Sequence, residues 1–287
     1  MKTWFITGAS RGFGALITEA VLASGDSVVA TARDPSSIPD HPRLLKLPLD
    51  VTNEEQARDA AARGIEKLGR IDVLVNNAGY GLLGAVEEAS AVEVERVFAT
   101  NVFGLLNVTR AVLPHMRKRR SGHIISISSI GGYASYPGWG VYCATKFAVE
   151  GITEALSIEL APLGIHATVV EPGFFRTHFL SPQSLSSTAA KIDDYADTVG
   201  KTRIAAAAAN HHQPGDPQRL AQVIVRLAAA REPPKRLALG SDTVARIEEK
   251  NRDVERELNL WRSVSVSTDF GERDLRPLPA LEYGASK

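Results

Sequence analysis

The chain has 287 residues, of which 44% are hydrophobic and 23% are charged, a composition typical of a soluble globular protein. Lys plus Arg and Asp plus Glu balance at 33 each, so no net positive field favours a nucleic acid or an anionic membrane as partner. The single cysteine, Cys143, excludes an intrachain disulfide and a multi-cysteine metal site. With no signal-peptide pattern at the N-terminus, we expect a cytoplasmic protein that binds no metal, nucleic acid or membrane.

Short β-rich runs alternate with longer helical patterns, which predicts βαβ units that build a parallel sheet covered on both faces. The predicted strands are Thr3–Thr7, Ser27–Ala32, Leu44–Leu49, Asp72–Asn76, His123–Ser128, Ala167–Val170 and a short one near Leu237. The predicted helices are Gly12–Ser24, Glu54–Leu68, Val92–Arg117, Val141–Leu160, Gln218–Ala229 and Thr243–Trp261. We therefore expect an α/β, doubly wound parallel sheet in a single domain that spans 1–265.

Two stretches depart from this alternation. Residues 178–214 form a polar, Ser- and Ala-rich segment that is longer than an ordinary connection, which predicts either a substrate lid or a partly disordered segment. The last residues, 266–287, contain several Pro, Gly and charged residues and are predicted to form a loose C-terminal tail after a helical extension.

A Gly-rich turn lies between the first strand and the first helix. Glycines at 8, 12 and 14 allow a tight turn and a close approach of a ligand, and the N-terminus of the helix presents free N–H groups to a pyrophosphate. The residues of this turn that we expect to bind the cofactor are Gly8, Ser10, Arg11, Gly12, Phe13 and Gly14. The alternative is an ordinary strand-to-helix turn without a ligand.

The end of the second strand predicts which dinucleotide is bound. At this point an acid would hold the ribose 2′-hydroxyl of NAD, whereas an Arg suits the 2′-phosphate of NADP. Arg33 follows Ala32 here, and Arg11 offers a second cation, so we expect NADP(H). Asp34 is the competing residue, since a shifted strand end would bring its carboxylate to the ribose.

Tyr142 and Lys146 are four residues apart on a predicted helix and can point into one cleft. A nearby ammonium stabilises a phenolate and lowers the pKa of the phenol, which would make Tyr142 an acid or base near neutrality. The spacing by itself also fits a surface phenol beside a solvated lysine.

Taken together, these segments resemble the short-chain dehydrogenase/reductase family over residues 3 to 180. The matching pieces are the turn Thr7–Gly14, Asp50-Val51, Asn76-Asn77-Ala78-Gly79, Asn101, Ser129, Tyr142-x-x-x-Lys146, and Pro172-Gly173 followed by Thr177. The run to Gly81 and the long C-terminal extension resemble most the branch with 17β-hydroxysteroid and retinol dehydrogenases.

The resemblance implies a role for each matching residue. Tyr142 would exchange a proton with the substrate oxygen, Lys146 would hold the nicotinamide ribose, and Ser129 would hydrogen-bond the substrate oxygen. Ser126 and Ser128 are rivals to Ser129, and Asn101 would anchor a water relay to Lys146 or simply be a buried, hydrogen-bonded amide. The expected cofactor contacts of the later motifs are Asp50, Val51, Asn77, Ala78, Gly79, Pro172, Gly173, Phe175 and Thr177. Asp50 has a competing role as the cap of a turn before Thr52.

We therefore expect an NADP(H)-dependent enzyme that interconverts a ketone or aldehyde and an alcohol. An imine or activated-alkene reductase, or a non-catalytic NADP(H) sensor, are alternatives on the same scaffold. Aromatic residues predicted around the substrate end favour an apolar or ring-bearing small-molecule substrate: Tyr80, Tyr136, Trp139, Phe175 and Phe179. His211 and His212 adjoin on a loop and are expected to be solvent-exposed. The resemblance also implies a homodimer or homotetramer that contacts through the helices near 92–117 and 141–160.

Overall fold

Seven parallel strands form the central sheet of the computed structural model, which describes residues 1–270. The strands of the protein are β1 (Thr3–Thr7), β2 (Ser27–Ala32), β3 (Leu44–Pro48), β4 (Val73–Asn76), β5 (Gly81–Leu83), β6 (Gly122–Ile127), β7 (Ile165–Pro172), β8 (Leu185–Ser187) and β9 (Arg236–Leu239). The large sheet has the order β3-β2-β1-β4-β6-β7-β9, and β5 pairs with β8 separately. The predicted doubly wound α/β fold is confirmed.

Helices cover both faces of this sheet. They are α1 (Gly12–Ala23), α2 (Glu54–Leu68), α3 (Ala91–Phe98), α4 (Leu105–Arg119), α5 (Gly140–Glu159), α6 (Lys201–Ala209), α7 (Pro217–Ala229) and α8 (Ser241–Val266). One core joins α1 and α7 to one face, and a second core joins α2 and α4 to the other. Adjacent residues of β1 serve opposite cores, since Ile6 lies in the first and Phe5 in the second. Burial on both faces explains the nearly continuous apolar strands.

The long helix predicted over 92–117 is interrupted in the protein. A π-helical turn, Ala99–Gly104, separates α3 from α4. By length and composition the whole stretch Ala91–Arg119 could cross a membrane, but half of its most apolar window is buried. Val108, Val112 and Met116 are fully buried in the second core, which explains the apolar character of this stretch.

The segment 178–214 is more regular than the sequence predicts. It contains β8, a π-helical turn (Ala196–Gly200) and α6, and its strand pairs with β5, which was not predicted. Glu88 anchors the segment, because its buried carboxylate accepts hydrogen bonds from the N–H of Ile192 (2.8 Å) and from Arg203.

The C-terminal helix is longer than the predicted 243–261. It begins at Ser241, and its last helical residue, Val266, is the first residue of the predicted tail. The remainder of the predicted tail beyond residue 270 lies outside the described residues.

Candidate active site

One cavity of about 1180 Å³ lies at the carboxyl ends of the parallel strands and continues beneath the segment 178–214. In a doubly wound sheet this is the edge at which ligands bind. The predicted site residues that line it are Gly8, Ser10, Arg11, Gly12, Phe13, Arg33, Asp50, Val51, Asn77, Ala78, Gly79, Ser129, Tyr142, Lys146, Pro172, Gly173, Phe175 and Thr177. Gly14 and Asn101 lie behind this lining and support it.

The Gly-rich turn has the backbone that its glycines predict. Gly8 and Gly12 have φ angles of 65° and 56°, in the left-handed region that favours glycine. A Cβ on Gly14 would lie 2.3 Å from the carbonyl oxygen of Gly8 and 2.6 Å from Asn77 Nδ2. Gly14 therefore acts by allowing the helix to approach the turn closely.

Asn77 connects the end of β4 to the end of β1 through hydrogen bonds. Its Nδ2 donates to the carbonyl oxygens of Thr7 (2.9 Å) and Gly8 (3.2 Å), and its backbone N–H donates to Thr7 Oγ1 (3.0 Å). Asp50 also has a local role, since its Oδ1 accepts from the N–H (3.0 Å) and hydroxyl (2.8 Å) of Thr52. The turn-capping alternative for Asp50 is thus present, although Asp50 also lines the cavity.

The Tyr142 phenol is buried at the centre of the cavity, between Ser129 and two aromatic rings. Its ring centroid lies 5.7 Å from that of Trp139 and 5.6 Å from that of Phe179. The Ser129 side chain hydrogen-bonds the phenol, and Ser129 Oγ also accepts from the N–H of Gly131 (3.0 Å). Of Ser129 and its rivals Ser126 and Ser128, Ser129 is the serine that makes this contact.

Lys146 lies on the same face of α5 as Tyr142, as the spacing predicts. Its ammonium nitrogen lies 5.8 Å from the centroid of the Tyr142 ring and donates to the carbonyl oxygen of Ile127 (2.9 Å). Burial lowers the pKa of Lys146 to about 8, against the opposing effect of the Glu150 charge.

The expected depression of the phenol pKa is wrong for the protein as described. Burial raises the pKa of Tyr142 well above its usual value, and this outweighs the hydrogen bond from Ser129. The Lys146 ammonium does not reverse this rise in pKa, because it lies 5.8 Å from the ring centroid and donates to the carbonyl oxygen of Ile127. Tyr142 therefore carries its proton at neutral pH.

Asn101 supports the site from the π-helical turn. Its Nδ2 donates to the carbonyl oxygen of Tyr80 (2.9 Å) and to Thr145 Oγ1 (3.0 Å), and its Oδ1 accepts from the N–H of Tyr80 (3.0 Å). The buried-amide alternative describes these contacts. A Cβ on Gly79 would lie 3.1 Å from Asn101 Oδ1 and 3.7 Å from Lys146 Nζ, so Gly79 keeps the space beside both residues open.

The loop after β7 closes one wall of the cavity. The Phe175 ring meets the Phe13 ring of the Gly-rich turn edge to face at 5.6 Å between centroids. Asp242 at the start of α8 holds this loop, since its Oδ2 accepts from the N–H of Phe174 (2.7 Å). Thr177 Oγ1 accepts from the N–H of Phe179 (3.2 Å). The C-terminal helix is thus connected to the site through this loop.

Two arginines, Arg33 and Arg96, face the end of the cavity that is lined by Asp50. Both side chains line this end of the cavity. Burial raises the pKa of the Tyr80 phenol, and the charges of Arg96 and Arg33 oppose that rise. Within residues 1–270 no carboxylate lies within ion-pair distance of either guanidinium. Asp34 also lines the cavity, and its Oδ1 accepts from the N–H of Ser36 (2.9 Å).

Arg11 is directed elsewhere than predicted. Its Nη2 donates to the carbonyl oxygen of Gln183 (2.6 Å), so it joins the Gly-rich turn to the segment 178–214 rather than lying beside Arg33. Sequence reasoning missed Arg96, which lies within a helical pattern where an exposed arginine is ordinary.

The five predicted aromatic residues all line the cavity. Trp139 and Phe179 are nearly parallel, with centroids 6.5 Å apart and an angle of 21° between the rings. Leu180 and Leu185 of the segment 178–214 add aliphatic surface at the same end. Cys143 beside them is buried, and burial raises the pKa of its thiol, which fits a small apolar side chain.

The adjacent histidines His211 and His212 were expected to be solvent-exposed. His211 and His212 are exposed, and His211 packs edge to face on His178 at 5.1 Å between ring centroids. In the part of the chain that the structure describes, no group of three His, Cys, Asp or Glu side chains is arranged to hold a metal ion.

The residues present fit a nicotinamide dinucleotide. Gly8 and Gly12 line the cavity with left-handed backbone, the free N–H groups of the α1 N-terminus follow them, and at the far end lie Arg33 and Arg96, which have no carboxylate partner among residues 1–270. Tyr142 and Ser129 lie at the opposite end, where the reacting carbon of the nicotinamide would be held.

Comparisons with known proteins agree with this geometry. The profile of the family described as short chain dehydrogenase matches residues 2–187. The chain is 41% identical over 235 residues to a 3-ketodihydrosphingosine reductase of Bacteroides thetaiotaomicron, which covers 82% of this chain and 86% of that protein. A short-chain dehydrogenase of Streptomyces avermitilis has a TM-score of 0.87 and 41% identity, over 94% of this chain and 100% of the other.

Two further similar structures contain a bound dinucleotide. A short-chain dehydrogenase/reductase of Burkholderia phymatum in complex with NAD has a TM-score of 0.79 and 25% identity, over 89% of this chain and 95% of the other. ElxO with NADP bound has a TM-score of 0.71 and 28% identity, over 85% and 99% of the two chains. Structures similar to this chain therefore bind either nucleotide.

Proposed function

Because the chain belongs to the short-chain dehydrogenase/reductase family of oxidoreductases, we propose that it is an NADP(H)-dependent enzyme that interconverts a carbonyl compound and its alcohol. The observation that carries this proposal is the convergence of the Tyr142 phenol, the Ser129 hydroxyl and the Lys146 ammonium in one cavity with the Gly-rich turn. Loss of any of these groups would have favoured the non-catalytic sensor.

A nicotinamide dinucleotide held by the Gly-rich turn and Lys146 would supply or accept the hydride. Tyr142 donates its proton to the substrate oxygen as negative charge develops there. The Ser129 hydroxyl, which already contacts the phenol, lies where it can hydrogen-bond the same oxygen. The Lys146 ammonium lies in the low-dielectric interior beside the ring, where it would hold the nicotinamide ribose and favour loss of the phenol proton.

We propose that reduction of the carbonyl is the direction to which the site is better suited. Burial keeps Tyr142 protonated, and a protonated phenol is the form that a reduction consumes. Oxidation of an alcohol would require the phenolate, which burial disfavours in the free protein.

Arg33 and Arg96 support the preference for NADP(H). A 2′-phosphate carries about two negative charges and requires cations that are not already paired with carboxylates. Both guanidinium groups line the end of the cavity that Asp50 also lines, as the NADP-type ribose site predicts. Asp34 is the residue that would instead favour NAD.

The lining of the opposite end supports an apolar or ring-bearing carbonyl substrate. Trp139, Tyr142 and Phe179 form a continuous aromatic wall, and Leu180 and Leu185 extend it. The similar protein from Bacteroides thetaiotaomicron is by its name a reductase of a 3-keto compound. The segment 178–214 provides the lid over this end.

A spectrophotometric assay of NADPH oxidation with a panel of ketones, aldehydes, quinones, imines and activated alkenes tests the proposal, with NADH as the comparison. We expect turnover with at least one apolar ketone or aldehyde, and none in Tyr142→Phe, which should still bind NADPH by fluorescence titration. Normal turnover by Tyr142→Phe would contradict the proton transfer, and turnover confined to imines or alkenes would replace the carbonyl assignment.

We further propose a homodimer or homotetramer in the cytoplasm, within the branch that includes 17β-hydroxysteroid and retinol dehydrogenases, with 1–265 as the catalytic unit. Exposed apolar side chains support the association: Phe103 precedes α4, and Phe147 and Ile158 lie on α5. Sedimentation of the wild type at dimer mass or above, and of Phe147→Glu at a lower mass, is expected. Sedimentation of the wild type at monomer mass would refute it.

A further inference from the structure

Two buried glutamates lie directly behind the site. Glu150 on α5 is 6% exposed and Glu171 on β7 is 1% exposed, values that are unusual for ionisable side chains. Both carboxyl groups lie within ion-pair distance of the same nitrogen, Arg236 Nε, so they share one small buried space. Since a carboxylate only accepts hydrogen bonds, two adjacent carboxyl groups can hydrogen-bond each other only if one of them holds a proton.

The cations around the pair do not compensate two negative charges. Arg236 on β9 faces both groups, with its Nε 3.2 Å from Glu150 Oε2 and 3.8 Å from Glu171 Oε1. The same guanidinium also binds the exposed carboxylate of Glu154, so one positive charge is shared among three carboxyl groups. No N–H group of residues 1–270 donates to Oε1 of Glu150 or of Glu171, which leaves those oxygens for the shared proton.

The other polar groups around the pair come from three elements. Lys146 lies on α5 one helical turn before Glu150, and the charge of that carboxyl group opposes the lowering of the Lys146 pKa by burial. Ser128 lies at the end of β6: a Cβ on Gly132 would be 2.4 Å from Ser128 Oγ and 3.0 Å from Glu150 Oε1, so both oxygens border one small space. Lys235 precedes Arg236 and faces the outer carboxylate, Glu154.

Burial and the neighbouring carboxylate act in the same direction on this pair. Burial, followed by the charge of Glu150, raises the pKa of Glu171 to about 7, although Arg236 opposes the rise. Burial also raises the pKa of Glu150, against Ser128 and Arg236. These directions agree with the geometric argument for one shared proton.

Each member of this cluster adjoins a residue of the site. Ser128 precedes Ser129, Glu150 follows Lys146 by one turn, and Glu171 precedes Pro172 of the loop that closes the cavity. A contact between the two carboxyl groups therefore joins the elements that carry the hydroxyl, the ammonium and the loop.

We propose that Glu150 and Glu171 share one proton, and that this protonated pair is a positioning device that holds α5, β6 and β7 in register behind the site. Loss of the proton places two repelling charges between α5 and β7. The shared proton is independent of the reaction, whereas its effect on turnover rests on the proposed function.

Thermal melting of the full chain between about pH 5 and about pH 9 tests the shared proton without a substrate. A group whose pKa is raised on folding contributes stability that is present below its unfolded pKa and is lost as pH rises through the folded value, here about 7 for Glu171. Glu171→Gln retains a hydrogen bond without a titrating proton. Its melting temperature should therefore rise relative to that of the wild type as pH increases.

Glu154→Gln is the matched control, because it removes an exposed carboxylate from the same arginine. Its melting curve should stay parallel to that of the wild type across this pH range. If the difference in melting temperature between Glu171→Gln and the wild type is as independent of pH as the difference for Glu154→Gln, the shared proton is refuted. If Glu171→Gln does not fold, the same melting comparison is made with Glu150→Gln. The infrared carbonyl band of a protonated carboxyl group in the wild type is a second test of the shared proton. Absence of that band near neutrality overturns the proposal.

The positioning role has a kinetic readout. In Glu171→Gln the alkaline fall of kcat should move to higher pH, with the Michaelis constant for NADPH nearly unchanged. A rate lowered equally at every pH would mean a general structural defect and would overturn this role. Failure to find any substrate would contradict the proposed function. The melting and infrared measurements would still test the shared proton.

Discussion

Glu88 should determine whether the segment 178–214, the proposed lid, stays closed over the cavity. Its carboxylate is buried and accepts hydrogen bonds from the backbone N–H of Ala85 (2.7 Å) and Ile192 (2.8 Å), and from Arg203 of α6. Burial alone would raise the pKa of Glu88, but these bonds outweigh it and lower the pKa to about 2. The anchor therefore stays ionised from mildly acidic to alkaline pH, and is lost only as pH falls toward about 2.

Glu88→Gln keeps the shape of the side chain and removes the charge. One amide nitrogen replaces an accepting oxygen, so a backbone N–H loses its acceptor and Arg203 loses its ion pair. Breaking a buried pair costs about 3–5 kcal/mol, and since Arg203 is 19% exposed and retains Thr188 Oγ1, we expect about 2–3 kcal/mol. This loss would increase the open population of the lid about 30- to 150-fold.

Hydrogen–deuterium exchange of the segment 185–203 measures this opening directly. Exchange should become faster in Glu88→Gln, while exchange in β1 and β4 stays as in the wild type. Glu87→Gln is the matched control, since Glu87 accepts a hydrogen bond at the surface from the Tyr195 hydroxyl (2.5 Å). Equal protection of the segment in both variants would refute the anchoring role.

Four further predictions concern the cofactor. Arg33→Asp should reverse the preference from NADPH toward NADH, and Arg96→Gln should weaken NADPH but not NADH, measured as dissociation constants; unchanged ratios would place the 2′-phosphate elsewhere. Gly14→Ala should abolish binding of either nucleotide or destabilise the fold, because its Cβ would lie 2.3 Å from the carbonyl oxygen of Gly8; normal binding and melting would contradict this close packing. Burial lowers the pKa of Lys146 to about 8, so its charge is lost as pH rises through that value. Affinity for NADPH should weaken with it, and the same pH dependence in Lys146→Met would exclude Lys146 as the cause.

The parts of the protein that were predictable from sequence are those whose signal is local. The strands β1 and β2 and the helix α2 have the predicted bounds, because their apolar periodicity and the Asn53 cap, which accepts from the N–H of Gln56 (3.0 Å), lie within the segment itself. The Gly-rich turn follows the same logic, since positive φ angles at Gly8 and Gly12 require glycine.

Long-range contacts account for most of what was missed. β5 has three residues and exists because it pairs with β8, which lies in a polar segment about a hundred residues later. The π-helical turn between α3 and α4 follows from the side-chain contacts of Asn101 with Tyr80 and Thr145, on segments distant in sequence. The raised pKa of Tyr142 depends on burial by Trp139 and Phe179, and burial is not a property of the Tyr-x-x-x-Lys spacing.

Arg11 shows why a motif residue can be identified while its contact is not. The glycine spacing places its side chain at the cavity, but its partner there is the backbone carbonyl of Gln183, 172 positions away. Any residue type supplies a carbonyl oxygen, so the sequence contains no mark of this contact. Glu171 is a further case, because the predicted strand ends at Val170 whereas β7 continues to Pro172, so the burial of the Glu171 carboxylate was not predicted. A buried carboxylate requires a polar partner, and Arg236 on β9 supplies it from a segment distant in sequence.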